Sequence, residues 1–175
     1  MNPVASVLSP GPSLSRVTDA DLADTTVFGV NRAAHFRRSD WWCFGDDRMY
    51  RTYPLDYAPR LATCAEAARR LGIQNVLTYE ELFDKYTPSA LWMIYTMNAA
   101  LVIAASQGAK RIRLYGCDWS GVSDFDGHKY TFKGEEAEIT RTPKRWENER
   151  RMFDSTVAML AEKGVSVERV TYGTT

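Results

Sequence analysis

Short apolar runs alternate along the chain with longer amphipathic or apolar segments, and the spacing of hydrophobic positions predicts an element for each. Runs rich in β-branched and aromatic residues predict strands over 4–8, 26–30, 41–44, 73–77, 111–115 and 165–170. Segments that end at or near glycines predict helices over 59–71, 88–107 and 143–163. This alternation predicts an α/β fold, a single Rossmann-like domain over residues 1–175 with a mostly parallel sheet and helices on both faces.

Two segments depart from this regular pattern. Residues 120–142 are polar and show little periodicity, which predicts a lid or variable binding loop. Residues 90–105 are almost wholly apolar, but Thr96 and Asn98 interrupt them and the run is short for a bilayer. A helix buried inside the α/β domain is therefore favoured over a membrane span.

Composition narrows the classes of partner. The chain has 22 Lys and Arg residues and 22 Asp and Glu residues, so no net field attracts nucleic acid or a membrane surface. Its three cysteines (Cys43, Cys64 and Cys117) form no Cys-x-x-Cys pair, which argues against a disulfide framework and a zinc site. The first residues lack the pattern of a secretory signal. We expect a cytoplasmic protein with no membrane span, and an oligomer is left open.

Polar groups follow four of the predicted strands. The turn Ser9–Ser13 comes after the first strand, Asn31 after the second, Asp46 after the third, and Gly116–Asp118 after the strongest. The carboxyl ends of parallel strands line one crevice, where such folds hold anionic ligands. Each group on its own could equally cap a turn. Together they predict a ligand site at this edge of the sheet.

The phosphate-binding motifs of the commonest nucleotide enzymes do not occur. Neither Gly-x-Gly-x-x-Gly nor Gly-x-x-x-x-Gly-Lys-Ser/Thr is present. The two histidines, His35 and His128, are far apart and belong to no Cys/His cluster, which argues against a histidine metal site. His128 lies in the 120–142 loop and is a candidate general base, or an exposed loop histidine. Asp46 and Asp47 could hold Mg²⁺ or form an acidic turn.

Three segments, in this order, resemble those of one group of bacterial sialyltransferases. They are Ser9-Pro10-Gly11-Pro12-Ser13-Leu14, Phe28-Gly29-Val30-Asn31-Arg32, and Ala109-Lys110-Arg111-Ile112-Arg113-Leu114-Tyr115-Gly116-Cys117-Asp118. The same segments resemble the related flagellin-modifying glycosyltransferases and 6-hydroxymethylpterin diphosphokinase-like proteins. In the sialyltransferases a Gly-Asn-Gly-Pro-Ser-Leu turn, two strand-end Asn residues and a Gly-x-Asp surround a nucleotide.

The resemblance implies a role for particular residues. It implies nucleotide contacts for a set of turn and strand-end residues, namely Gly11, Pro12, Ser13 and Asn31. It implies a pocket and catalytic role for Asp118. Asp46 stands where the family has its second Asn, and Thr96 falls near the Ser that opens the family's buried helix, so both are further nucleotide-binding candidates.

The sequence also departs from the family. Ser9 and Pro10 replace the first Gly and the Asn of the turn, and Asp46 brings a negative charge that repels phosphate unless a cation lies between them. The family uses a histidine near the start of the last helix as general base, but no histidine follows His128 here. The candidates for that role are His128 and a carboxylate, Glu147 or its neighbour Glu149.

The first hypothesis is a nucleotide-sugar-dependent glycosyltransferase with a CMP-linked or other donor. In it, Lys144 and Arg145 stabilise the departing phosphate. The first alternative is a Mg²⁺-dependent diphosphokinase of the hydroxymethylpterin type, with Asp46, Asp47 or Asp118 on the metal. The second is a non-catalytic nucleotide-binding module. The two enzyme hypotheses predict a small-molecule nucleotide as the partner, the third predicts a nucleotide or another binding partner, and none calls for nucleic acid.

Overall fold

Seven strands form one sheet in which every hydrogen-bonded pair of neighbours is parallel. The structure, a computed structural model, describes residues 3–86, 90–129 and 141–172, with the backbone alone for residues 90 and 91. The strands are β1 Val4–Leu8, β2 Thr26–Val30, β3 Trp41–Cys43, β4 Arg60–Thr63, β5 Leu77–Thr78, β6 Arg111–Tyr115 and β7 Ser166–Arg169. Their spatial order is β5-β4-β3-β2-β1-β6-β7. The predicted α/β, Rossmann-like architecture is confirmed.

Helices connect the strands. The α-helices are α1 Asp19–Leu22, α2 Asp47–Thr52, α3 Ala65–Leu71, α4 Thr96–Ser106 and α5 Pro143–Glu162. Short 3₁₀ helices cover Pro12–Arg16, Asn31–His35, Tyr79–Leu82 and Ala90–Ile94. A capping box is present at Thr78, where the Glu81 carboxylate accepts from the backbone N–H of Thr78 (2.9 Å).

Two predicted elements were wrong in part. The segment 59–71 is not one helix, since Arg60–Thr63 forms β4 between β3 and β5 and only Ala65–Leu71 is helical. The predicted strand 73–77 is reduced to the two residues of β5. Proline in the first turn of a helix and proline before a strand look alike in sequence, and pairing with β3 and β5 decides between them.

The predicted helix 88–107 is interrupted at Tyr95. Ala90–Ile94 is a 3₁₀ helix, the backbone at Tyr95 is extended (φ −114°, ψ 124°), and α4 begins at Thr96. Residues 87–89 lie outside the described part of the chain. The break gives α4 an N-terminus of its own, which lies at the carboxyl edge of the sheet beside the clefts described below.

Helix α4 is central to the core. Its residues from Met97 to Ala104 are all buried, and it contacts β1, β2 and β3 as well as α5. The helix buried inside an α/β domain that the apolar run predicts is therefore observed. Among the helices of the described residues, none combines the length and apolarity needed to cross a bilayer.

The sheet is covered on both faces because successive strand residues point to opposite sides. Val7 and Phe28 belong to the core around α4, whereas Leu8 and Val27 belong to a second cluster on the opposite face. This is the burial pattern of a parallel sheet between two layers of helices and loops.

Strand β1 marks the point at which the chain reverses its direction of growth. From β1 the sheet extends through β2 to β5 on one side, and the chain then returns to add β6 and β7 on the other. The connections that follow β1 and β6 therefore lead to opposite sides of the sheet. Such a switch point is the common ligand position in open α/β sheets.

Candidate functional site

Two glycines hold the loops after β1 and β6 together. The Gly11 N–H donates to the Gly116 carbonyl oxygen (2.9 Å), and the Ser9 N–H donates to the Tyr115 carbonyl oxygen (2.8 Å). A Cβ on Gly11 would lie 2.4 Å from the Gly116 oxygen, and a Cβ on Gly116 would lie 2.0 Å from the Ser9 oxygen. Gly116 also has φ +66°. The absent side chains at these two positions allow the backbones to touch.

The carboxylate of Asp118 completes this contact. It accepts a hydrogen bond from the Ser13 backbone N–H (Oδ2–N, 2.7 Å), in the first turn of the 3₁₀ helix Pro12–Arg16. A Cβ on Gly11 would also lie 2.7 Å from the same Oδ2. The space next to Gly11, where the sequence suggests an approaching phosphate, is thus filled by Asp118. The predicted residues Gly11, Ser13 and Asp118 are brought together, and their nucleotide contacts stay a prediction.

Asn31 follows β2 in a left-handed conformation (φ 50°), which asparagine tolerates better than most residues. Its backbone carbonyl oxygen accepts from the Trp42 indole N–H (3.0 Å), which fixes the backbone. Its side chain is half-buried, and it lines both cavities defined below. The Asn31 amide is thereby positioned for a ligand while the main chain carries the structural contact.

Two adjoining cavities open along the carboxyl edge of the sheet. The switch-point cleft, about 170 Å³, is lined by Ser9, Pro10, Gly11, Val30, Asn31, Ile94, Tyr95, Thr96, Met97, Cys117, Asp118, Trp119, Ser120, Arg141, Arg145, Trp146 and Glu149. The β2–β4 cavity, about 910 Å³, is lined by Asn31, Gly45, Asp46, Asp47, Arg48, Met49, Cys64, Glu66, Ala67, Arg70, Tyr79, Met93, Ile94, Tyr95, Thr96, Arg141 and Arg145. The residues that line both cavities form the border between them.

That border carries positive charge and a helix N-terminus. Arg141 and Arg145 line both cavities, and so does Thr96, the first residue of α4. The first hydrogen bond of α4 runs from the Ala99 N–H to the Tyr95 carbonyl oxygen (3.1 Å), so the N–H groups before Ala99 precede the helical ladder. Backbone N–H groups and guanidinium groups are the usual ligands of phosphate oxygens.

A buried ion-pair network joins Arg141 to Arg32 through residues 124–126. The carboxylate of Asp124, whose side chain is 0% exposed, binds Arg141 (2.9 Å) and Arg32 (3.1 Å). Arg32 also binds Asp126 (2.7 Å), and this hydrogen bond lowers the pKa of Asp126 to about 2. The Phe125 N–H donates to the Pro10 carbonyl oxygen (2.9 Å), which ties the same loop to the turn after β1.

This network is the main feature of the site that sequence reasoning missed. Arg32 and Asp124 are 92 positions apart, and no local pattern marks them as partners. The network occupies the start of the predicted lid 120–142, of which residues 130–140 lie outside the described part. Its first residues are held in place by Arg32 and Pro10.

Trp119 forms one wall of the switch-point cleft and was also not foreseen. It has φ +48°, which is rare for a bulky residue. The guanidinium groups of Arg169 and Arg150 lie 4.8 and 5.4 Å from its ring centroid, and the Phe153 ring meets it edge-on at 5.2 Å. These neighbours hold the indole in the wall.

Asp46 lies in the β2–β4 cavity, and the guanidinium group of Arg48 lies beside it. The sequence predicts that a phosphate can approach Asp46 only when such a cation is near. Asp46 caps α2 by accepting from the Arg48 backbone N–H (3.0 Å), and it forms an ion pair with the Arg48 guanidinium. The hydrogen bond from that guanidinium lowers the pKa of Asp46. The Asp46–Arg48 pair is locally neutral, which weakens the repulsion of a phosphate.

The candidate general bases separate in the structure. His128 contacts Tyr53 (Nε2–OH, 2.9 Å) and does not belong to the residues that line either cavity. Glu147 is exposed on α5, also outside both linings. Glu149, two residues further along α5, lines the switch-point cleft and accepts from Arg145 (Nε–Oε1, 2.9 Å). Of the two predicted phosphate ligands, Arg145 lines the cleft and Lys144 does not.

The three aspartates proposed for Mg²⁺ in the diphosphokinase alternative do not converge. Asp46 and Asp47 line the β2–β4 cavity and are paired with arginines, whereas Asp118 lines the other cleft and binds the Ser13 N–H. Within the described ranges, no group of three or more His, Cys, Asp or Glu side chains is close enough to hold a metal ion.

The fold can be compared with solved structures. Similar to it is the sialyltransferase CstII from Campylobacter jejuni in complex with the substrate analogue CMP-3FNeuAc, with a TM-score of 0.60, 11% sequence identity, and coverage of 94% of this chain and 80% of that chain. The chain has a sialyltransferase-like fold. A second structure, the sialyltransferase CST-II with a trisaccharide acceptor and CMP, gives a TM-score of 0.52, 13% identity, and coverage of 95% and 80%.

Sequence comparison adds nothing to this likeness. No model of a protein family matches the chain, and no curated protein sequence matches it significantly. At 11–13% sequence identity, the similarity to the two sialyltransferase structures is a similarity of fold alone. Residue roles are therefore argued from the geometry of this chain.

Proposed function

We propose that the protein is a nucleotide-sugar-dependent glycosyltransferase. The observation that carries the proposal is the pair of cavities at the switch point, which meet at a border formed by Asn31, Thr96, Arg141 and Arg145. A nucleotide sugar is built in the same way, because its acidic phosphate lies between a nucleoside at one end and a sugar at the other. The two similar structures contain CMP-3FNeuAc, and CMP with an acceptor trisaccharide, which supports this class of ligand.

In this proposal the nucleoside lies in the switch-point cleft. Asn31 contacts the base or ribose through its amide, and Asp118 accepts from a ribose hydroxyl while it keeps its bond to Ser13. The phosphate lies at the border, next to Arg145, Arg141 and the N-terminus of α4. The negative charge that develops on the leaving phosphate is stabilised there.

Glu149 is the general base of the proposed transfer. Its carboxylate takes the proton of an acceptor hydroxyl, the hydroxyl oxygen attacks the anomeric carbon, and the bond from that carbon to the phosphate oxygen breaks. The electron pair of that bond stays on the phosphate. Glu149 fits this role because its side chain, only 15% exposed, lies 2.9 Å from Arg145 at the border, where the anomeric carbon joins the phosphate. Arg145, now paired with Glu149, is close enough to turn to the phosphate when the donor binds.

The test is a thermal-shift panel of CMP, UDP, GDP and ATP, each with and without Mg²⁺. A nucleotide that binds only the folded state stabilises the protein by about 2.7 kcal/mol when its free concentration is 100 times its Kd. We expect at least one nucleotide to raise the Tm without metal, and Asn31→Gly to lose most of that shift. Glycine keeps the left-handed backbone at position 31, so the variant removes the amide with little strain.

Asn75→Gly is the matched control. Asn75 also has a left-handed backbone (φ 57°), is exposed, and lines neither cavity. Its variant is expected to keep the full nucleotide shift. A shift by ATP that requires Mg²⁺ would favour phosphoryl transfer, and the absence of any shift would overturn the nucleotide site. Binding without release of nucleotide from any sugar donor would favour a non-catalytic module.

A further inference from the structure

The walls of the β2–β4 cavity carry charges of both signs. Three carboxylates line it, from Asp46, Asp47 and Glu66, together with four guanidinium groups, from Arg48, Arg70, Arg141 and Arg145. The other lining residues are mostly apolar, among them Met49, Met93 and Tyr79. A ligand in this cavity meets both hydrogen-bond acceptors and donors beside apolar surface.

Every one of these guanidinium groups already binds a carboxylate. Arg48 pairs with Asp46, Arg70 with Glu66 (2.8 Å), and Arg141 with Asp124 (2.9 Å). Arg145 pairs with Glu149 (2.9 Å). Among the described lining residues, then, each guanidinium group is paired with a carboxylate of the protein.

The carboxylates are fixed by more than one contact. Asp46 accepts from the backbone N–H of Arg48 as well as from its guanidinium. Asp47 contacts Arg51 (3.4 Å) and Arg70 (3.6 Å). Glu66 accepts from two arginines, Arg69 and Arg70, at 2.8 Å each. Since these contacts hold the carboxylates on the wall, they remain there when a ligand arrives.

Such walls distinguish between sugars by charge. A sugar carboxylate placed here would lie near three like charges. Because the proposed function assigns Arg141 and Arg145 to the phosphate, the carboxylate would have to break the ion pair of Arg48 or Arg70 to gain a cation. A neutral sugar meets neither obstacle, because its hydroxyl groups donate to the carboxylates and accept from the guanidinium groups. Its C–H faces pack against the methionines and Tyr79.

We propose that the β2–β4 cavity selects an uncharged sugar, of the hexose or N-acetylhexosamine class, and rejects a sugar that carries a carboxylate. This inference rests on the proposed function. It separates the protein from the CstII complex with CMP-3FNeuAc, whose sugar is carboxylated. Asp46 and Glu66, on separate connections at the sheet edge, determine the selectivity.

The test compares donors that differ by one carboxylate. Kd values are measured by calorimetry for UDP, UDP-glucose and UDP-glucuronate, and for CMP and CMP-N-acetylneuraminate. The Kd of each nucleotide sugar is divided by the Kd of its own free nucleotide, so that a preference for one base cancels. We expect UDP-glucuronate to bind about tenfold more weakly than UDP-glucose, and CMP-N-acetylneuraminate to bind no more tightly than CMP.

Two variants assign the selectivity to the wall. Asp46→Asn and Glu66→Gln each remove one negative charge and the ion pairs that it forms, with Arg48 in the first variant and with Arg69 and Arg70 in the second, where Arg70 keeps its contact with Asp47. Asparagine remains a good helix cap. Each variant is expected to strengthen binding of UDP-glucuronate at least fivefold and to leave UDP unchanged. Asp84→Asn, at an exposed aspartate that lines neither cavity, is expected to change nothing.

The outcomes separate the two proposals. If no free nucleotide binds, the proposed function fails. If UDP or CMP binds but the acidic sugar binds as tightly as the neutral one, or more tightly than the free nucleotide, the selectivity is wrong and the nucleotide site stands. The selectivity is equally refuted if Asp46→Asn and Glu66→Gln both leave the binding of UDP-glucuronate unchanged.

Discussion

The carboxylate of Asp118 accepts a hydrogen bond of 2.7 Å from the backbone N–H of Ser13, and so joins the loops after β6 and β1. The turn that most resembles a phosphate loop is therefore already satisfied by an anion of the protein itself. This moves the expected phosphate position toward the N-terminus of α4 and the arginines at the border of the two cavities. It leaves Asp118 and Gly11 to shape the nucleoside end of the cleft.

Asp118→Ala is expected to lower the free energy of unfolding by about 1–3 kcal/mol, because the Ser13 N–H loses its acceptor in a partly buried loop. Asp118→Asn keeps an acceptor oxygen at the same place, so its loss in the free energy of unfolding is expected to be less than half of that of Asp118→Ala. Denaturant unfolding followed by circular dichroism measures both. Equal stability of the two variants would contradict a structural role of this bond.

Gly11→Ala is expected to destabilise the protein by about 1–3 kcal/mol through a steric clash, since the new Cβ lies 2.4 Å from the Gly116 oxygen. The comparison is Gly72→Ala, where no atom lies within 4 Å but φ is +64°. Its cost is that of a left-handed alanine, about 1 kcal/mol. If Gly11→Ala proves less costly than Gly72→Ala in denaturant unfolding, the two loops are not in such close contact.

Asp124→Ala is expected to cost about 3–5 kcal/mol, because it removes the buried carboxylate that two nearly buried guanidinium groups share, while Arg32 keeps its ion pair with Asp126. It is also expected to weaken nucleotide binding, since Arg141 loses its anchor. Asp19→Ala removes an exposed pair with Arg37, in which the Asp19 side chain is 87% exposed, and serves as control with a cost of at most about 1 kcal/mol. Similar stabilities for the two variants would rule out the network as an anchor.

The Asp126–Arg32 ion pair predicts a stability that depends on acid pH. The pKa of Asp126 is held at about 2 in the folded protein, below its ordinary value of 3.8. The folded state is thus favoured by this group above pH 4, and the advantage is lost as the pH falls toward 2. Urea unfolding of wild type and Asp126→Asn is expected to differ most near pH 6 and least near pH 2. A difference that stays constant over this range would refute the pair.

Glu149→Gln tests the proposed base. If Glu149 takes the acceptor proton, its amide is expected to reduce transfer by about 100- to 10,000-fold while nucleotide binding is retained. Glu147→Gln, two positions away and exposed, is the control and is expected to keep full activity. Loss of activity in Glu147→Gln alone would return the base to the residue that the sequence first suggested. A loss of activity in a His128 variant alone would assign the role of general base to the 120–142 loop.

Much of the fold can be predicted from local patterns in the sequence. The strands at Val4–Leu8, Thr26–Val30 and Arg111–Tyr115 have the bounds that their apolar runs predict, and the last helix differs from its predicted range by one residue. These elements are recognisable because their hydrophobic period and their glycine and proline signals lie within a few residues. The position of the site follows from the same alternation, since it places the strand ends at one edge.

Only the tertiary structure decided the remaining features. Arg60–Thr63 is a strand because β3 and β5 pair with it, and α4 starts at Thr96 because the chain extends at Tyr95. Asp124 meets Arg32 from a position 92 residues away. Each of these outcomes depends on groups that come together after the chain has folded, and a local pattern contains no information about them. The sequence by itself determined the order of the elements and the edge that holds the site, whereas contacts between distant residues determined which side chains line it.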